Sequence, residues 1–576
     1  MQIIKTFFKL IIFVFPLGAI AQSTYLNQGT KESHFIDRLE IKQQTNTHLN
    51  FSTLRPFNRK YIVQEAEFLD SARMGYKDST GVDKFESWTD LNLTEVDEYN
   101  MRSLLMNNSE WVTVPREDFV SKKPILKNLY KTKANMYEVN TKDFFLAVNP
   151  ILQIHQAIEP GYDQAIFLNS RGLSVRGLIA KKIGFSSWLT DNQERGPQFF
   201  NAQVNNNRAV PGVGFYKPFK KSGFDYFDAR GYVTFGATKY INFQLGYDKN
   251  FIGNGFRSLI LSDWGNSYLF AKINTKIWKF NYQNIFMELM PQFVKTRDTL
   301  LDRKYAAMHH LSINLTKWLN VGVFEGVIFG RKNRFDFQYL NPIIFYRHIE
   351  GQNGSPDNAV AGLDFKANVA HRLQFYGQLM LDEFVLSAVR STPKDWRNKV
   401  GIQLGTKYID AFGIKNLDIQ AEVNRVRPFT YAHFDTLANY THYNQPLAHP
   451  LGANFDELIG IVHYQPAPKW TISARAIYFN QGLDTAGLNN GGNIFKNYIT
   501  RLNAEGSNSL FATGGGAKAT CLNVTAQLSY EIRENLFFDA SFQSRQYSIK
   551  GISGESNTTL VTAGVRLNMF KRNYDF

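Results

Sequence analysis

The stretch VTFGATKYINFQLG, residues 233–246, decides the fold class. On both sides of Lys239 and Tyr240 every second residue is apolar, and the residues between them are threonine, glycine, asparagine or glutamine. The apolar set is Val233, Phe235, Ala237, Ile241, Phe243 and Leu245. Because successive side chains of a strand point to opposite faces, the pattern predicts a β-hairpin with one apolar and one polar face.

The same alternation recurs between residues 144 and 570. Tight turns are predicted near Lys181, Lys239, Trp278, Lys317, His371, Gly413, Pro468 and Glu534. These eight hairpins contain sixteen strands, and the alternating segments Phe144–Ile154 and Thr559–Phe570 add one strand at each end. The sequence therefore predicts about 18 antiparallel strands, to within two, because strand boundaries are the weakest part of such a prediction.

The connections between these hairpins are long and rich in glycine, proline, asparagine and aromatic residues, as in residues 190–230, 425–456 and 478–522. Short turns that alternate with long loops are typical of bacterial outer-membrane barrels. We therefore predict an all-β fold, a large antiparallel transmembrane β-barrel over residues 141–576. A secreted β-sandwich or propeller is the alternative, but burial on both sides of its strands would blur the polar face.

The first 21 residues are expected to be a secretory signal peptide. Lys5 and Lys9 precede a short apolar run, and Ala19 and Ala21 form a small-x-small cleavage site. Beyond it, no stretch approaches the ~20 apolar residues that a spanning helix needs. The chain nevertheless contains 48 Phe and 28 Tyr, which suit the outward apolar band and the aromatic girdles of a membrane barrel.

Residues 22–140 are polar and predict a small, partly helical periplasmic region. Thr94 and Asp97 have the spacing of a capping box, which begins a helix. The alternative for this region is a partly disordered leader. An even number of strands places both termini in the periplasm and the long loops at the cell surface. The terminal Phe576 also suits a last strand that closes a barrel.

The net charge of +15 favours acidic partners, such as phosphorylated outer-membrane lipid or an anionic polysaccharide. The alternative is that these charges are ordinary solvated surface. Nucleic acid is not expected, because a secreted chain without a recognisable binding motif has no means to reach or read it. The single cysteine, Cys521, leaves no partner for an internal disulfide.

Two long connections carry the candidate ligand-binding residues. The first is FIGNGFRSLILSD, residues 251–263, which follows a strand that leads away from a tight turn. It lacks the Gly-Lys-Ser/Thr of a phosphate-binding loop. Arg257, Ser262 and Asp263 supply polar groups at the mouth or in the lumen. The alternative is a loop that folds inward and braces the barrel, with Arg257 paired to a carboxylate of the wall.

The second connection spans residues 422–457 and begins at Glu422, which lies on the polar face of its strand with Asp418. The remaining candidates in it are Arg425, Arg427, Tyr431, His442, Tyr443 and His449. Carboxylates near arginines are usual in the lumen of a wide barrel, which is one interpretation. The other is a sugar site, because polar groups and aromatic faces suit carbohydrate. No further ligand accompanies the histidines at metal-site spacing, so no metal is expected.

The chain has no HExxH, GxSxG, Walker or paired-cysteine motif, so we expect no catalysis and no cofactor. An outer-membrane hydrolase that uses Ser262, Asp263 and His442 is a less favoured alternative. A diffusion porin is another alternative, and it would need an open lumen.

Four stretches carry a family resemblance: HLNFSTLRPFNRK, FIGNGFRSLILSD, RPFTYAH and YNQPLAHPLGANFDE. They resemble the Bacteroidota branch of the Wzi-type capsule-assembly outer-membrane proteins, and most of all the RemB-like proteins of flavobacterial gliding motility. The resemblance implies a non-enzymatic barrel of about eighteen strands with a small helical periplasmic part. It also implies that the protein binds surface polysaccharide or anchors cell-surface or motility proteins.

Overall fold

The structure is a computed structural model. It describes residues 23–44, 51–73, 93–114, 116–125, 127–293, 300–343, 345–383, 394–485, 488–501, 511–551 and 556–576. The predicted signal peptide, residues 1–21, lies outside the described residues.

Within the described residues, eighteen antiparallel strands close into a barrel, which confirms the predicted fold and strand number. The strands are β1 Phe144–Ile158, β2 Ile166–Ile179, β3 Ile183–Arg195, β4 Gly223–Gly236, β5 Ile241–Asp248, β6 Tyr268–Ile277, β7 Phe280–Leu289, β8 Lys304–Asn314, β9 Leu319–Phe329, β10 Asn358–Val369, β11 Leu373–Glu383, β12 Lys399–Tyr408, β13 Leu417–Val426, β14 Phe455–Ala467, β15 Trp470–Leu483, β16 Ala517–Arg533, β17 Leu536–Ile549 and β18 Ser556–Leu567. Closure joins β18 to β1, with Val561 opposite Ile158.

Each of the eight predicted tight turns joins two paired strands, and all eight lie at one end of the barrel, called here the tight-turn end. The long connections lie at the opposite end, the loop end. Lys181, Trp278 and His371 have positive φ in their turns, as short hairpin connections require. The turns were predictable because a break in period-two alternation is a local signal.

The outer face of the barrel is apolar. On β5, Leu245 is 60% exposed whereas Gln244, one residue earlier, is buried in the lumen. Trp278, Trp318 and Trp470 are exposed at the tight-turn end, where an aromatic girdle is expected. Among the described residues, no helix combines the length and the apolar composition that a membrane-spanning helix needs.

Three N-terminal helices cover the tight-turn end and form the helical cap: α1 Lys31–Gln43, α2 Arg59–Arg73 and α3 Glu95–Asn107. They share an apolar core that includes Ile36, Val63 and Leu104. The predicted capping box is present, because the Thr94 hydroxyl accepts from the N–H of Asp97 and the Asp97 carboxylate accepts from the N–H of Thr94.

Buried ion pairs hold the helical cap on the barrel. The Arg38 guanidinium donates to Asp97 at 2.7 Å and to Asp418 of β13 at 2.6 Å. Lys42 donates to the second oxygen of Asp97 at 2.7 Å. Burial alone would raise the pKa of Asp97, but Arg38 and Lys42 lower it to about 2. Lys31 pairs with Glu531 at 2.6 Å, at the far end of the same cap.

Three segments occupy the lumen. Leu54–Arg55, from the N-terminal region, pairs with Phe251–Ile252, from the loop end, as a two-residue antiparallel ladder. The C-terminal tail, residues 568–576, turns back into the barrel, so Phe576 is not part of the closing strand. It packs instead against Phe199 and Trp264. These segments leave a cavity of about 470 Å³, and such an occupied lumen does not favour the porin alternative.

Two further helices belong to the long connections: α4 Gln198–Asn207 and α5 Tyr346–Gln352. The first packs through Phe200 against Tyr574 of the C-terminal tail. The second belongs to the connection between β9 and β10.

We predict that Asp97→Asn weakens the docking of the helical cap by about 3 kcal/mol, because Arg38 and Lys42 would lose a buried counter-charge. The depressed pKa means that this stabilisation is complete above about pH 4, the unfolded value, and is lost as the pH falls toward 2. The measurement is the melting temperature of the purified barrel against pH.

The matched control is Asp118→Asn. Asp118 pairs with Arg102 on the exposed surface of the same cap. Exposed pairs contribute about 0–1 kcal/mol, so this variant should melt within about 2 °C of wild type. Equal melting temperatures for the two variants would contradict the role of the buried pair.

Candidate functional site

The first candidate stretch lies in the connection between β5 and β6, residues 249–267, called here the inward loop. It descends into the lumen instead of covering the mouth. Leu259, Ile260 and Leu261 are fully buried in the largest apolar core. Inward-facing side chains of the wall, such as Met308 and Phe324, complete that core.

Glu422 holds the inward loop to the wall. Its carboxylate accepts the backbone N–H of Phe256 at 2.7 Å and that of Arg257 at 3.1 Å. The Tyr376 hydroxyl donates to the same carboxylate at 2.9 Å. A Cβ at Gly255 would lie 2.5 Å from this carboxylate, so glycine is required there for the close approach.

Arg257 is buried and connects the inward loop to the C-terminal tail. Its guanidinium donates to the carbonyl of Asp575 at 2.5 Å and lies 3.7 Å from the Glu457 carboxylate. Glu457 in turn faces His449 at 2.7 Å. These contacts match the alternative in which the loop folds inward and Arg257 pairs with a carboxylate of the wall.

The second candidate stretch covers the inward loop from the loop end. The Tyr431 hydroxyl donates to the carbonyl of Leu259 at 2.7 Å, and that of Tyr440 donates to the carbonyl of Ile260 at 2.6 Å. The N–H of Ser262 donates to the carbonyl of Leu447 at 2.9 Å. The two candidate stretches, far apart in sequence, therefore pack directly on each other.

His442 is also engaged by the backbone. Its Nδ1 accepts the N–H of Met290 at 3.0 Å, and its Nε2 lies 3.0 Å from the carbonyl of Ser267. Burial lowers the pKa of His442 to about 4, so the ring is neutral and its Nε2–H donates. This histidine has no lone pair left for a metal, and the described residues contain no cluster of metal-ligating side chains.

The remaining candidates are dispersed. Tyr443 packs edge-on against Phe293, with ring centroids 4.9 Å apart. Arg427 donates to the carbonyl of Asn398 at 2.6 Å. Arg425 points outward at the rim and pairs with Asp456 at 3.2 Å.

Asp263 is half-buried beside the lumenal cavity and accepts from Lys249 through its backbone carbonyl, at 3.0 Å. Burial lowers the pKa of Lys249 to about 7. The structure thus brings Arg257, Glu422 and Tyr431 together around the inward loop, but Arg425 lies apart from them. As direct contacts of a ligand, all ten candidates stay a prediction.

The loop end also carries a cluster of aromatic and basic residues that the sequence did not single out, called here the rim cluster. It consists of Trp396, Arg397, Lys399, Phe434, Lys496, Tyr498 and Arg501. Arg501 lies 4.2 Å above the ring of Trp396, and Lys399 lies 4.1 Å from the ring centre of Tyr498. Phe434 is 39% exposed beside them. These residues come from three separate connections, so no local sequence pattern predicts that they lie together.

A family model for the capsule assembly protein Wzi matches residues 142–547. This chain belongs to the Wzi capsule-assembly family. The match spans nearly all of the barrel of this Wzi-family member. The inward loop, Glu422 and the rim cluster all lie within the matched residues.

Two solved structures are similar to this Wzi-family chain. Escherichia coli Wzi, an outer-membrane protein involved in group 1 capsule assembly and a carbohydrate-binding β-barrel, is similar with a TM-score of 0.55 and 12% identity. The similarity covers 96% of this chain and 99% of that one. Pseudomonas aeruginosa OprD has a TM-score of 0.41 and 10% identity over 73% of this chain and 95% of that one. No curated protein matches the sequence.

We predict that Glu422→Gln destabilises this Wzi-family barrel by about 1–3 kcal/mol. The buried Glu422 carboxylate accepts hydrogen bonds from two backbone N–H groups and a hydroxyl, whereas the NH₂ group of glutamine would face those donors without an acceptor. The loss should appear as a lower melting temperature in heat-modifiable gel mobility.

Asp456→Asn is the control, because it removes the exposed rim partner of Arg425. That change should cost less than about 1 kcal/mol. A Glu422→Gln barrel that melts at the temperature of the control would refute the bracing role of Glu422.

Proposed function

We propose that this protein binds surface polysaccharide at its loop end and takes part in capsule assembly without catalysing a reaction. The observation that carries the proposal is the Wzi family match over residues 142–547. The fold of E. coli Wzi, a carbohydrate-binding β-barrel, extends over nearly the whole chain and supports it.

The described contacts favour binding over the alternatives. In the hydrolase alternative His442 would be the base, but both of its ring nitrogens are engaged by backbone groups. A porin would need a clear lumen, whereas three segments of the chain meet inside this one. The remaining accessible surface for a large polymer is the loop end.

We further propose that the tight-turn end and the helical cap face the periplasm and that the loop end faces outward. An epitope inserted between Lys220 and Lys221, at an exposed turn of the loop end, should then bind antibody on intact cells. An epitope at Lys317 in a tight turn should bind only after permeabilisation. Access to Lys317 alone on intact cells would refute this orientation.

The rim cluster is the proposed contact for the polymer. Phe434 and Tyr498 offer aromatic rings for sugar stacking. Arg501 beside Trp396 offers positive charge, and Arg397 and Lys496, which pair with Asp395 and Asp484, offer further N–H donors to an acidic polymer. Arg425, the outward member of the predicted set, adds charge at the same rim. Charge attraction at this wet surface is screened over ~8 Å at physiological salt, so binding of an acidic polymer should weaken as salt rises.

We predict that Phe434→Ala combined with Tyr498→Ala lowers retention of the purified surface polysaccharide of the producing strain by roughly tenfold, as expected for the loss of stacking worth about 1.4 kcal/mol. Retention is measured per folded molecule on immobilised barrel. Phe412→Ala, which removes an exposed ring at the tight-turn end, should leave retention unchanged.

Arg257→Ala separates the two interpretations of the inward loop. As a brace it should lower the melting temperature and leave retention per folded molecule unchanged. Lost retention with unchanged melting would assign Arg257 to the ligand site.

Deletion of the whole protein should release polysaccharide from the cell surface. Colony spreading, scored in the same strain, tests the gliding-motility role that the RemB resemblance implies.

A further inference from the structure

The connection between β9 and β10, described over residues 330–343 and 345–357, leaves the loop end and is called here the outer flap. Its residues Tyr339 and Tyr346 pack against Phe286, Val327 and Phe329 of the wall. These wall residues alternate with Ile285 and Ile328, which belong to the lumenal core, so they point outward. The outer flap therefore lies on the outside of the barrel.

The part of the wall beneath the outer flap is polar. Asn284, His309 and Glu325 stand opposite one another on β7, β8 and β9, at the middle of the strands. The ring of Tyr346 lies 3.9 Å from that of His309, and the Glu325 carboxylate accepts the N–H of Arg347 at 3.0 Å. Polar groups that would otherwise face acyl chains are thus buried beneath the flap, and the Glu325 carboxylate is hydrogen-bonded by it.

The outer flap reaches far down the wall. The Tyr282 hydroxyl donates to the carbonyl of Pro342, and Tyr282 is only two residues from the tight-turn end of β7. Tyr282 lies seven residues from Leu289, the last residue of β7 at the loop end. That separation is roughly 24 Å along the strand at ~3.4 Å per residue. An outward apolar band is ~25 Å tall, so this tip lies within its height.

The tip exposes three large apolar side chains, among which Gln338 and Asn341 are the exposed polar ones. Phe337 is 78% exposed, Ile343 84% and Phe345 76%. They continue the exposed outer face of the neighbouring wall, where Val323 and Leu363 are each 47% exposed. Arg347 follows the tip in α5; its side chain is 70% exposed and is ion-paired with the buried Glu350 carboxylate at 2.5 Å.

We propose that the outer flap is embedded in the outer membrane and that Phe337, Ile343 and Phe345 contact lipid acyl chains. Two observations favour lipid over other partners. The tip lies at the height of the lipid-facing apolar band, and its exposed apolar side chains adjoin those of the neighbouring wall. Docking of a second protein on the tip is the competing outcome. The proposal is independent of polysaccharide binding, because it concerns the outer wall and not the loop end.

The test is collision of a nitroxide spin label with oxygen, which concentrates in acyl chains, and with a nickel chelate, which stays in water. Labels are placed at Ile343→Cys, at Val323→Cys on the bare wall and at Ile499→Cys, an exposed apolar residue of the loop end. The buried Cys521 is retained, and wild type controls for its labelling. The full-length barrel is reconstituted in phosphatidylcholine–phosphatidylglycerol vesicles.

The label at Ile343 should behave like that at Val323, with oxygen collisions at least fivefold above chelate collisions, and the label at Ile499 should show the reverse. A chelate-accessible Ile343 would overturn the proposal and place the flap in water. Protection of Ile343 from both reagents would also overturn it, because a protein partner or a second copy would then cover the tip.

A second pair of variants does not need labelling. Ile343→Asp should lower the fraction that refolds into vesicles at least tenfold, whereas Ile499→Asp should refold like wild type. In detergent micelles, which adapt their shape, both variants should fold. Equal refolding of both variants into vesicles would contradict contact of the tip with acyl chains.

Discussion

Closure of the sheet is the constraint on which the rest of the structure depends. No water is available in the bilayer core, so each strand must find backbone hydrogen bonds on both sides, and this requires that β18 pair with β1. A ring of eighteen strands encloses a lumen wider than its own side chains can fill. The N-terminal segment, the inward loop and the C-terminal tail occupy that space.

Charge then decides how these segments are held. The lumenal face of the wall combines an apolar core with buried charged and polar side chains, so hydrogen bonds and ion pairs fix the place of each inserted segment. Arg38 binds the helical cap to Asp418 near the tight turns, and Glu422, four residues farther along β13, binds the inward loop. One strand thus anchors elements that enter from opposite ends, and both of its carboxylates lie on the lumenal face.

Much of the architecture was predictable because its signals are local. Period-two alternation and short turns specify hairpins, and the eight turns and eighteen strands were confirmed. The candidate site was not predictable to the same degree. Arg257 and Glu422 are 165 residues apart, and the residues alone left open whether Arg257 contacts a ligand or braces the barrel. The residues of the rim cluster come from three connections, so no single stretch of sequence predicted it.

The sequence by itself determined a closed, membrane-spanning barrel with short turns at one end, because side-chain alternation fixes which face of each strand meets lipid. The places of the long connections depend on contacts that form only in the folded chain. The stretch FQYLNPI, residues 337–343, and the inward loop are both rich in apolar residues, yet one lies outside the wall and the other inside. Their places depend on partners elsewhere in the chain, Glu325 and Glu422, which composition and periodicity do not connect to them.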